Sequence, residues 1–154
     1  MTATVAVVLL VVGILAALAL VWIFVQVWFR RRGRAVAEQL SAEIEGETVV
    51  RAPERGTYRG ATAPGYPMIN NTGLIALTHR RLVFRTLTGH LIEVPVAAIM
   101  GVREAAVFDG YVAGGHTHLI VKTRAGEVAF FVFAGIAEWI TALTELAPGP
   151  QIDI

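Results

Sequence analysis

The sequence predicts a membrane-anchored α+β protein: one N-terminal transmembrane helix, then about seven short antiparallel strands capped by a C-terminal helix. Three observations predict it. Residues 1–29 contain only four residues outside the apolar set, namely Thr2, Thr4, Gly13 and Gln26. From residue 47 to residue 133 the chain breaks into short apolar runs punctuated by Gly, Pro, Asn and Asp. Apolar residues then return to helical spacing from Ile136 onward. The apolar share of the whole chain is 55%. Without the first 29 residues it falls to roughly 48%, an ordinary value for a globular domain. Collagen-like, disordered and disulfide-scaffold classes are excluded.

Residues 1–29 are read as the anchor. No charge occurs between Val5 and Phe29, and a helix of that length spans about 37 Å, enough for a ~30 Å hydrocarbon core. Trp22 and Trp28 lie toward the charged end, where amphipathic rings favour the headgroup layer. Arg30, Arg31, Arg32 and Arg34 follow, with no basic side chain before them. A cleaved signal peptide fits poorly, because there is no basic leader and arginines stand where a small-residue cleavage site belongs. The positive-inside rule places the N-terminus outside and the remainder in the cytoplasm, at the inner membrane face. These six residues, Trp22, Trp28 and the four arginines, are the expected membrane-interface set.

Residues 30–46 form a basic and amphipathic linker. Val36, Leu40 and Ile44 recur every fourth position, one narrow apolar stripe, and Gly46 is a stop signal. The stripe has three possible partners: the membrane, a second copy, or the chain's own domain.

Residues 47–147 form the domain. Strands are expected at 56–63, 73–77, 81–87, 91–94, 102–108, 117–123 and 127–133, with a helical turn at 97–100 and loops at 64–72 and 109–115. In the third of these, Leu82 and Phe84 face one way and Arg81, Val83 and Arg85 the other, the pattern of a half-buried strand. Ile136, Ile140 and Leu143, with Trp139 and Leu146, give the closing helix, and Pro148, Gly149 and Pro150 end it. Residues 148–154 are a tail.

The order of these elements resembles that of bacterial PH-like (pleckstrin-homology and GRAM-type) domains. The resemblance is carried by Gly73 to Phe84, with Thr78 ahead of Arg81 and then Leu82, Val83 and Phe84. It continues through Ile92, Pro95, Ile99 and Val102, the late hairpin 119–133, and Trp139 in the capping helix. It implies two near-orthogonal antiparallel sheets with one corner closed by the helix. Lipid-binding relatives place cations around the first hairpin loop. Here loop 64–72 has none, and only Arg59 and Arg80 flank it.

Chemistry-bearing patterns are sparse. The chain has no cysteine and a single serine, Ser41 in the linker, so thiol and Ser/His/Asp nucleophiles lack material. His116 and His118 share a strand face on paper, with Asp109 as a third donor, yet the pair falls short of a zinc set. No metal, cofactor or catalytic residue is expected, and an enzyme is not. The net charge of +1 points to no nucleic-acid partner. Arg59, Arg80 and Arg85 are the ligand or partner candidates. Arg81 is read as structural, and Glu93 is the expected cross-strand partner of Arg85. The expected function is a single-pass cell-membrane protein that presents its cytoplasmic domain as a protein-interaction or scaffold module. Its partners would be the bilayer and another membrane or cytoplasmic protein. An anionic-lipid headgroup sensor and an accessory subunit of a membrane transporter or complex are the alternatives.

Overall fold

The computed structural model describes residues 2–112 and 114–147, so the expected tail 148–154 lies outside the described residues. The chain divides into two compact units, with the boundary between Ala35 and Val36. The first unit is the apolar part of helix α1 (Thr2–Glu43), which is long and apolar enough to cross a membrane. Every side chain from Thr2 to Arg32 is exposed. Near its charged end the Arg32 guanidinium lies 5.1 Å from the Trp28 ring centroid, and Trp28 meets Phe29 edge-on. Such a cation–π contact holds the Arg32 guanidinium over the ring.

The second unit contains a seven-stranded, wholly antiparallel sheet, ordered β4-β3-β2-β1-β9-β8-β5. Its strands are β1 (Val49–Ala61), β2 (Asn71–Thr78), β3 (Arg81–Thr86), β4 (Leu91–Pro95), β5 (Ile99–Ala105), β8 (His118–Thr123) and β9 (Gly126–Val132). A short ribbon, β6 (Val107–Phe108) with β7 (Tyr111–Val112), forms a separate two-stranded sheet. Helix α2 (Ile136–Leu146) follows β9. The expected strand 102–108 is therefore two elements, broken at Ala106. The expected helical turn is a 3-10 turn at Val96–Ala98, and β5 begins immediately after it.

Strand β1 joins the two halves of the sheet. It pairs with β2 from Val49 to Tyr58 and with β9 from Gly56 to Ala61. It begins seven residues before the expected start, because Pro53 interrupts the alternation there. The proline falls in a register shift between Arg51 and Glu54, one of the few places where a sheet tolerates a missing N–H. A second shift lies between Tyr58 and Gly60. Gly60 has φ +115°, which glycine adopts without penalty. Two irregularities let one strand bend and serve both halves.

The main core is built from inward-facing residues of these strands. The Tyr58, Phe84 and Phe130 rings form a cluster with centroids 5.8–6.2 Å apart, and Trp139 and Leu143 of α2 are fully buried against the same core. Trp139 Nε1 donates to Glu54 Oε1 at 2.5 Å, and Arg51 lies over the indole at 4.8 Å. This satisfies the one polar atom of the largest buried ring. Gly73 is required by close approach: a Cβ there would lie 2.0 Å from the Arg85 carbonyl oxygen.

The end of α1 belongs to the domain. Leu40 and Ile44 are buried against Ala76 and Val83, with Leu74 and Leu91 packed alongside, and Val36 is buried too. The apolar stripe thus packs on its own domain, and residues 36–46 fold with the sheet. Val83, expected on an exposed face, is fully buried for the same reason. Covering Leu40 and Ile44 contributes about 1.5–3 kcal/mol each.

Candidate interaction surface

Two elements cover parts of the sheet's outer face. The end of α1 lies over β2 and β3, and Phe108 from the β6-β7 ribbon is buried with Ile120 of β8 and Ala129 of β9. Along β1, the alternation that turns Tyr58 into the core turns Arg55, Thr57 and Arg59 outward. The register then lines up a cross-strand row. Arg55 pairs with Leu74, Leu74 with Arg85, and Arg85 with Leu91.

On the β9 side stand two aromatic rings. Phe131 pairs with Thr57, and its ring carries the Arg59 guanidinium at 5.6 Å and the His116 ring edge-on at 5.9 Å. Phe133 meets Phe131 edge-on at 5.2 Å yet remains 62% exposed. Two shallow depressions flank it. One is bordered by Gly115, His116, Thr117 and Ile136, the other by Arg51, Glu54, Arg55 and Glu138.

Three arginines of the domain are held by carboxylates of the domain itself. Arg51 pairs with Glu54 at 3.1 Å, and Arg103 with Glu127 at 2.9 Å. Arg81 binds Glu47 at 2.6 Å, Glu43 at 3.5 Å and Glu93. Among the described residues no carboxylate is paired with Arg55, Arg59 or Arg85, and the buried Nε atoms of Arg59 and Arg85 have no hydrogen-bond partner.

The candidate arginines from the sequence separate in space. Arg59 and Arg85 share the outer face but stand about four residues apart in register, roughly 13 Å along the strands. Arg80 is exposed in the β2–β3 turn, where its N–H bonds Thr78 Oγ1 at 3.2 Å. Arg55, which the sequence reading passed over, is the residue level with Arg85. Its parity with Thr57 and Arg59 is the signal that could have found it, had Pro53 not masked the strand. The expected Arg85–Glu93 pair is not formed. Glu93 lies opposite Val83, so Arg81 and Arg85 are equally diagonal to it. Arg81, already held by Glu47, takes it. His116 is exposed whereas His118 is fully buried, so the two rings do not present one ligand face. Among the described residues no three His, Asp or Glu side chains gather as a metal site.

No protein-family model and no curated protein matches the chain. Among solved structures, it is similar to the crystal structure of the C-terminal domain of an unknown protein from Leishmania infantum. That similarity has a TM-score of 0.49 at 13% identity, and covers 73% of this chain and 95% of that one.

Proposed function

We propose that the chain is a single-pass membrane protein presenting a cytoplasmic PH-like domain as a protein-interaction or scaffold module at the inner face of the cell membrane. The observation that carries this reading is α1 itself. One continuous helix begins as an exposed apolar segment and ends as part of the folded core of the sheet domain through Leu40 and Ile44. The protein is therefore a tether built into a domain.

The PH-like reading draws support from connectivity. Antiparallel strands closed by a C-terminal helix that buries Trp139 in the core agree with that resemblance, whereas the two separate sheets it implies are here one seven-stranded sheet joined through β1. The cytoplasmic orientation draws on Arg30, Arg31, Arg32 and Arg34. The interaction role draws on the exposed Phe133 and the unpaired arginines of the outer face, since surface aromatics and arginine are enriched where proteins bind proteins.

The test is photo-crosslinking in intact cells from three exposed positions, Met68, Arg124 and Phe133, followed by purification of the tagged full chain. Discrete protein adducts from at least one position are expected. Adducts to lipid alone, or none from any position, would overturn the module.

A further inference from the structure

We propose that the outer face of β1–β3, presenting Arg55, Arg59 and Arg85 beside the exposed Phe133 ring, docks an acidic segment of a partner protein that also bears apolar side chains. The proposal rests on the interaction-module reading and names its surface and the chemistry of its partner.

The charge pattern selects the occupant. Arg51, Arg81 and Arg103 each have a carboxylate supplied by the domain itself. Arg55 and Arg85 flank Leu74 in one row across three strands and have none. Two strand spacings separate their backbones by about 10 Å. Side chains two residues apart on an extended segment are about 7 Å apart, so two such carboxylates fall within reach of both guanidiniums. Arginine is suited to grip them bidentately. Phe133, between its two depressions, then offers apolar contact at the β9 end of the row, while Leu74 and Leu91 within it are already packed against the end of α1.

A second copy of the chain is disfavoured on this face, because the row would meet its own positive charge. An anionic bilayer is disfavoured by the sum. Residues 36–147 carry nine basic and eleven acidic side chains, since four of the thirteen basic residues lie at 30–34 and one of the twelve acidic ones is Asp153. A domain of net negative charge is repelled by a broad anionic surface, while its local cationic row still attracts a narrow acidic strand.

The experiment uses the full-length chain in phosphatidylcholine nanodiscs. The probe is a fluorescein-labelled peptide of glutamates and leucines spaced by serines, followed by anisotropy at about 0.15 M salt, where distant charges are screened. The peptide should bind. Arg55→Glu with Arg85→Glu should weaken it about tenfold or more, and Phe133→Ala several-fold, whereas Arg55→Lys with Arg85→Lys should retain more binding than the glutamate pair. The counterpart peptide with glutamine in place of glutamate should not bind the unaltered chain. Equal binding of the glutamine peptide overturns the proposal without any variant being made. So does glutamate-peptide binding that is indifferent to the double charge reversal. Sedimentation of the nanodiscs with phosphatidylserine vesicles, lost on that same reversal, would reassign the surface to lipid. Absence of peptide binding, alongside protein adducts from Met68 or Arg124 in cells, would sink this surface and leave the module standing.

Discussion

Arg81 ties residues 43–47, at and beyond the end of α1, to the β3-β4 hairpin. Its guanidinium binds Glu47 beyond the end of α1, the Glu43 carbonyl at 3.1 Å, and Glu93 on β4. Glu47 also accepts from Thr78 Oγ1 at 2.7 Å. The Arg81 hydrogen bonds, and then that of Thr78, hold the Glu47 carboxyl below the usual carboxylate range. A depressed pKa in the folded state means that the pair stabilises the protein above the ordinary glutamate pKa, and that the contribution disappears as pH falls through the folded value. Glu47→Gln should therefore lower the melting temperature at pH 7, and the difference from the unaltered chain should shrink as pH falls below the ordinary glutamate pKa. A difference independent of pH, seen by circular dichroism in mild detergent, would exclude the charge as its source. Gly73 makes a different demand. A methyl group placed 2.0 Å from a backbone carbonyl cannot be accommodated by rotating a side chain, so β2 and β3 must separate. Gly73→Ala should cost about 3 kcal/mol or more in denaturant unfolding. A loss below about 1 kcal/mol would show that the strands part easily.

At the scale of elements, the last turns of α1 act as a piece of the domain. Leu40 is fully buried beneath the helix, between it and the β2-β3 surface. Leu40→Ala should destabilise the domain by about 2–5 kcal/mol, as for other buried leucines, while exposed Gln39→Ala should change it little. A domain fragment beginning at Val36 should accordingly be more protected from amide exchange in β2 and β3 than one beginning at Glu47. Equal protection in the two fragments would mean that the helix end is a passenger. The stripe of Val36, Leu40 and Ile44 was legible in the sequence because helical periodicity needs only local spacing. Its partner was not, since periodicity records which face is apolar and carries nothing about what that face meets. The same gap explains Val83. Alternation assigned it to solvent, and an element forty residues earlier covers it.

For the whole molecule, the proposed orientation rests on the arginines that follow the apolar segment. The chain has no cysteine, so single cysteines report cleanly. Thr2→Cys should react with a membrane-impermeant maleimide in intact cells, and Met68→Cys, at a 71% exposed loop position, should react only after permeabilisation. Labelling of position 68 from outside would reverse the topology. The long apolar helix, the antiparallel strands and the closing helix could be read from sequence because each depends on short-range pattern: a charge-free run, period-two alternation, or a 3.6-residue repeat. What tertiary structure alone decided is which surfaces remained open. Arg59, Arg80 and Arg85 looked equivalent in the chain. Folding placed Arg80 in a turn, gave Glu93 to Arg81, and set Arg85 level with an Arg55 hidden behind Pro53. Cross-strand register and the docking of α1 made those choices, and both arise from contacts between residues distant in sequence, which no local pattern encodes.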